Sequence, residues 1–207
     1  MNKIKEIKKM SPEVYKNKLS RIKKIFHNIP ILKGYGGYPY SAFSLTDFNP
    51  PMNAQLVEDM ADLIVYDGNF ENVNLIVSEA DRGAGPLTQA VALRTGIPYT
   101  LANWYPIQSW GSIKVATKVG FSGRGVICVY GVKKGDSIII VDDLISSGGT
   151  AKALIESVYK VGASVTETIF VANKHNMGGE EMIKDKFKIP VKYLLKFEAL
   201  GEKTRVL

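Results

Sequence analysis

This sequence predicts an α/β fold: a doubly wound, mostly parallel sheet carrying a small N-terminal helical or hood element. Three observations carry that expectation. Ile138-Ile139-Ile140-Val141 is a run of four β-branched residues, the pattern of a strand buried on both faces. Other short apolar runs alternate along the chain with amphipathic stretches, as strands alternate with helices in wound sheets. The 207 residues, 45% hydrophobic and 23% charged, suit one soluble domain with a single sizeable core.

Taken in order, the first 33 residues form a basic arm. They hold ten of the 27 Lys and Arg against Glu6 and Glu13, so they carry +8 while the remaining 174 residues sum to −1. Ser11-Pro12-Glu13 reads as a helix start, with Ser as cap and Pro in the first turn. Tyr15, Leu19, Ile22, Phe26 and Ile29 recur at helical spacing, so the arm has an apolar face. Docking on the body or on a second subunit is the favoured reading. Attraction to nucleic acid through the lysines is the alternative. The Gly/aromatic stretch Lys33 to Tyr40 marks the boundary, giving an arm over residues 1–33 and a main domain over 34–207.

Within the main domain, Asn53 to Val65 reads as a helix, Val73 to Ser78 as a strand, Pro86 to Arg94 as a helix and Ile97 to Ala102 as a strand. Ile113 to Lys118 and Val126 to Tyr130 pair as a hairpin. Ser137 to Val141 is the central strand, and Ala151 to Val161 the helix after it, with Leu154, Val158 and Val161 on one face. Val165 to Val171 and Val191 to Phe197 are further strands, with a helix at Glu180 to Phe187 between them. Cys128 lies in an apolar run and reads as a buried thiol, which suits a reducing cytoplasm. No apolar run approaches membrane-spanning length and no secretory segment is legible, so neither a membrane partner nor export is expected.

Two adjacent carboxylates, Asp142 and Asp143, follow the central strand, and Ser146-Ser147-Gly148-Gly149-Thr150 opens the next helix. Backbone N–H groups of such a turn, its hydroxyls and the helix dipole together favour an anion. Carboxylates repel phosphate but accept hydrogen bonds from vicinal sugar hydroxyls. A sugar phosphate gripped at both ends is the direct chemical reading. Upstream, Glu79-Ala80-Asp81-Arg82-Gly83 lies in another strand-to-helix turn, where Arg and backbone N–H groups suit pyrophosphate and a carboxylate reaches Mg²⁺ through water.

The stretch from Ile138 to Thr150 resembles the phosphoribosyl-pyrophosphate (PRPP) signature of type I phosphoribosyltransferases. Glu79, Arg82 and Gly83 resemble the pyrophosphate loop of the adenine-type members. The resemblance implies transfer of a phosphoribosyl group from PRPP to a purine base in purine salvage, with Mg²⁺ as cofactor and a homodimer as the assembly. It assigns ribose recognition to Asp142 and Asp143, the 5′-phosphate to Ser146, Ser147, Gly148, Gly149 and Thr150, and pyrophosphate to Glu79, Arg82 and Gly83. Asp142, Asp143 and Arg82 would be the catalytic set. Glu79 and Asp81 would reach the metal through water or PRPP. In the family, the segment equivalent to 103–124 is a loop that closes over PRPP; Lys114 and Lys118 are the phosphate candidates there. Its aromatics (Trp104, Tyr105, Trp110, Phe121) fit a loop or an interface equally.

Phe43 to Pro50 resembles the base-binding element of adenine-type enzymes, but Leu45 stands where the stacking Phe belongs and Thr46 replaces an Arg. Phe43, Leu45 and Leu144 are the base-binding candidates. Mammalian-type hypoxanthine-guanine enzymes carry an Asp where this chain has Ser146, whereas adenine-type and archaeal hypoxanthine-type enzymes tolerate a small residue there. Adenine is the first acceptor expected and hypoxanthine or guanine the alternative. A PRPP-sensing regulator without catalysis is the other alternative, though a sensor does not need the Glu79–Arg82 loop.

Overall fold

The computed structural model describes residues 3–104, 113–119 and 123–207. In chain order its elements are α1 (Lys3–Ile7), α2 (Pro12–Lys24), β1 (Ile31–Lys33), β2 (Pro39–Ser41), α3 (Ser44–Asp47), α4 (Ala54–Asp67), β3 (Leu75–Glu79), α5 (Ala84–Thr95), β4 (Tyr99–Ala102), β5 (Ile113–Val119), β6 (Gly123–Val129), β7 (Ser137–Ile145), α6 (Gly149–Val161), β8 (Ser164–Lys174), α7 (Gly179–Phe187), β9 (Val191–Leu200) and β10 (Lys203–Val206). Six strands form the central sheet in the order β10-β9-β8-β7-β3-β4. All neighbours run parallel except β10, which turns back antiparallel on β9. The expected α/β class and mostly parallel sheet are both present.

The central strand alternates its apolar side chains between two cores. Ile139 and Val141 face a layer with Phe26, Met60, Ile64, Ile169 and Phe197. Ile138 and Ile140 face one with Val77, Leu154, Val158 and Phe170. Burial on both faces is why this run has no polar alternation.

The arm starts as expected: the Ser11 hydroxyl accepts from the Val14 amide and Pro12 occupies the first turn. Its helix ends at Lys24, yet the stripe continues inward, with Ile22 and Phe26 fully buried. The docking surface is the body of the same chain. Lys18 and Arg21 of α2 bond the buried Asp59 of α4 at 2.8 and 2.6 Å, and the backbone beyond α2 bonds to Thr204 of β10.

Topology creates the crevice. The chain passes from β3 to β4 on one side, then returns through the β5–β6 hairpin to β7 on the other. Ligands of open α/β sheets bind at such a switch point, beyond the carboxyl ends of the strands. β3 pairs with β7 only from Leu75–Ile138 to Val77–Ile140. β7 itself continues to Ile145 along β8, farther than its sequence pattern suggested. Past Ile140 the two strands therefore part, with Glu79 on one lip and Asp142-Asp143 on the other.

Candidate active site

The parted strands open into a cavity of about 290 Å³. Asp142, Asp143, Leu144 and the whole turn Ser146 to Thr150 line it, and Glu79, Ala80, Asp81 and Arg82 line the facing side. Adjacent residues of a strand point to opposite faces, yet both acids reach this cavity because it wraps the end of β7.

The turn works as an anion cradle for a local reason. Gly148 adopts φ 76°, a left-handed conformation that presents successive amides at the start of α6. A Cβ there would come within 2.6 Å of the Met182 methyl and 3.0 Å of Gly179. The amide of Gly179 in turn bonds the Ser146 carbonyl at 3.0 Å, so the N-terminus of α7 braces the turn from behind.

Beside and across from the cradle the charges are negative and poorly compensated. Asp142 accepts from the Asp143 amide at 2.9 Å, while Asp143 Oδ2 is buried with no hydrogen-bond partner among the described residues. Burial, together with Glu79 and Asp143, holds the Asp142 carboxyl well above its ordinary range. Burial and the charge of Asp81 push Asp143 up to about 7. Burial and the charge of Asp143 push Glu79 up to about 8, although Trp104 Nε1 donates to it at 3.1 Å. Three such carboxylates in one crevice call for a cation or for hydroxyl donors.

A hard divalent cation suits these oxygens. Among the described residues, however, no three His, Cys, Asp or Glu side chains come together to hold a metal unaided. A metal here would have to be shared with a ligand's own oxygens and with water.

The pyrophosphate-loop candidates lie together at the start of α5. Gly83 does not line the cavity, but it packs so closely under Asp143 that a Cβ would fall 2.0 Å from Oδ2. Arg82 is 60% exposed in its side chain and reaches Asp47 at 3.2 Å. Lys114 is exposed and lies outside the cavity lining. Lys118 is on β5 with its side chain outside the described residues, as are Tyr105, Trp110 and Phe121. Trp104 lines the cavity itself.

The remaining wall comes from β2, α3 and the ends of β8 and β9. Phe43 lines it, its ring held 4.7 Å from Phe26 and 5.3 Å from Phe197. Thus the N-terminal arm reaches the site through Phe26. Leu45, placed on the base wall by the sequence pattern, points elsewhere: α3 turns it into the core, where it borders a second, apolar cavity with Phe48, Met52 and Met60.

Sequence reasoning missed three residues that the fold brings here. Tyr38 and Ser41 line the cavity from the β2 hairpin, and the Ser41 hydroxyl is buried without a partner among the described residues. Lys174 ends β8, is only 3% exposed, bonds the Pro39 carbonyl and sits 4.2 Å above the Tyr38 ring. Burial brings its pKa down to about 8. Its signal was present: a lone Lys closing an apolar parallel strand stands where ligands bind in such sheets.

A parallel sheet with a hydroxyl- and glycine-rich anion cradle, paired acids and an Arg-bearing loop at one switch point defines the type I phosphoribosyltransferase class. No model of a known protein family matches the chain. Among curated proteins it is 34% identical over 178 residues to the hypoxanthine/guanine phosphoribosyltransferase of Methanothermococcus okinawensis, covering 86% of this chain and 94% of that one. It is 36% identical over 156 residues to the protein of that name from Methanosarcina mazei, covering 75% and 80%. Among solved structures, adenine phosphoribosyltransferase from Rhodothermus marinus matches with a TM-score of 0.71 at 17% identity, over 87% of this chain and 99% of that one. The Saccharomyces cerevisiae enzyme matches with a TM-score of 0.69 at 24% identity, over 87% and 99%. The structural matches speak for the fold. The sequence matches settle the family: this chain belongs to the type I purine phosphoribosyltransferases, a family of enzymes.

Proposed function

We propose that the enzyme transfers the 5-phosphoribosyl group of PRPP to a 6-oxopurine, hypoxanthine or guanine, releasing pyrophosphate and a nucleoside monophosphate. The carrying observation is the pairing, across one cavity, of the Ser146–Thr150 cradle with Asp142 and Asp143 and of both with the Glu79–Arg82 loop. The cradle takes the 5′-phosphate. The acids accept from the ribose hydroxyls, which relieves the unpartnered Asp143 Oδ2. Arg82 and the loop amides meet the pyrophosphate as its bond to C1 breaks and a base nitrogen bonds C1 from the other side. Placing both reactants in line supplies roughly 7–11 kcal/mol of the barrier reduction. Glu79 and Asp81 would hold Mg²⁺ through water and PRPP oxygens, and the ion would neutralise charge building on the leaving group.

Lys174 favours the 6-oxopurine over the adenine first expected. Its ammonium is donor-only and nearly buried over the Tyr38 ring, in the same cavity that Phe43 lines. A 6-oxo group offers it an acceptor, whereas the amino group of adenine offers another donor. The curated relatives at 31–36% identity also carry hypoxanthine/guanine in their names. A mismatched buried donor costs about 1–3 kcal/mol, roughly 5- to 150-fold. A panel of purines assayed with PRPP and Mg²⁺ for pyrophosphate release tests this. Hypoxanthine and guanine should be the preferred acceptors, and adenine turned over as well as either would reject the assignment. No helix among the described residues is long and apolar enough to cross a membrane; a cytoplasmic role in purine salvage is part of the same proposal. A homodimer belongs to the same proposal.

A further inference from the structure

We infer that Asp47 is a positioning residue: it holds Arg82 at the mouth of the cavity, and pyrophosphate must take the guanidinium from it. The inference rests on the reading of Arg82 as the pyrophosphate ligand. Asp47 lies at the end of α3, beyond the base wall, and both of its carboxylate oxygens are engaged. Oδ1 accepts from the Tyr40 hydroxyl at 2.5 Å and from Arg82 at 3.2 Å, and Oδ2 accepts from the Thr46 hydroxyl at 2.5 Å. Its side chain is 15% exposed while that of Arg82 is 60% exposed. The carboxylate is therefore the fixed partner and the guanidinium the mobile one.

Two consequences follow from that asymmetry. Tyr40 and Thr46 line the same cavity as Arg82, so one carboxylate joins the base wall to the pyrophosphate loop. The same negative charge also stands beside the place where pyrophosphate must sit. The Nη2 group that Asp47 holds is given to pyrophosphate only at the cost of that bond. An ion pair exposed on one side is weak, so the latch is light enough to be opened by the ligand.

Asp47→Asn keeps an acceptor for Tyr40 and gains a donor for Thr46, but it releases the charge on Arg82. Titration of pyrophosphate with Mg²⁺ into the full-length protein should show about two- to fivefold tighter binding in Asp47→Asn than in the wild type. The gain should disappear in an Arg82→Ala background, and nucleoside monophosphate affinity should not change in either. Asp47→Ser, checked by thermal melting, must reproduce the gain, which keeps the inference testable if the Asn variant folds poorly. Pyrophosphate binding that is unchanged or weaker in the Asp47 variants, with a clear loss in Arg82→Ala, would overturn the latch and leave the proposed function standing. No loss in Arg82→Ala would overturn the pyrophosphate reading and the latch with it.

Discussion

Asp143→Asn should make the protein more stable and at the same time unable to use PRPP. The Asp143 carboxyl is buried, one of its oxygens has no partner among the described residues, and its neighbours Asp81 and Asp47 are also acids. Its pKa rises from an ordinary 3.8 to about 7 on folding. Between those values the folded chain holds a proton that the unfolded chain has released, so stability falls as pH rises through the window. Each pH unit is about 1.4 kcal/mol, so ionising Asp143 inside the fold costs about 4 kcal/mol at full effect. Glu79 and Asp142 share that strain, which leaves about 2–4 kcal/mol to be recovered by an uncharged isostere. For a chain of this length that corresponds to a rise in Tm of about 5–15 °C. Denaturant unfolding of metal-free protein at pH 8 and pH 5 would measure it. The gain should be full at pH 8 and about a third of that at pH 5, where the fold already holds Asp143 protonated and only proton uptake between 3.8 and 5 still costs stability. A gain of the same size at both values would mean the substitution acts through packing, and the electrostatic account of the crevice would fail.

Replacing Asp142 and Asp143 together by Asn should abolish PRPP-dependent activity with the fold intact; calorimetry giving wild-type PRPP affinity would contradict their role at the ribose. Arg82→Ala should cost about 10- to 150-fold in affinity for PRPP and pyrophosphate, the loss of one charge-assisted bond, with nucleoside monophosphate little affected. Lys174→Met should narrow the preference for 6-oxopurines over adenine, as measured by kcat/KM for each base; an unchanged ratio would remove Lys174 from base selection. Phe26→Ala should destabilise the protein by about 3–5 kcal/mol and raise KM for the purine, because Phe26 backs the Phe43 ring; deleting residues 1–33 should prevent folding, which circular dichroism would report.

Much of this protein was readable from one dimension. The run of β-branched residues at 138–141, the helix starts at Ser11 and Asn53, and the strand-to-helix turns at 79–83 and 146–150 are local patterns, set by propensity, capping and glycine conformation. Polar turns following apolar strands also announced the anion cradle and its carboxylates. Short polar strands were hidden: β10, Lys-Thr-Arg-Val, pairs only because Gly201 returns it along β9. Leu45 was misplaced because a single turn of helix decides whether a side chain faces a cavity or a core.

What the sequence determined alone is the chemistry at each strand end, because that depends on neighbours in the chain. Only the tertiary structure decided which ends share a cavity. The switch point between β3 and β7 brings Glu79 to within Coulomb reach of Asp142, 63 positions away. Burial there, and not residue type, pushes three carboxylates upward, and burial at the end of β8 brings Lys174 downward. It is also why the arm, which reads as a separate basic helix, ends with Phe26 supporting the wall of the site. Desolvation and side-chain packing are set by what lies across the fold, and no spacing along the chain encodes them directly.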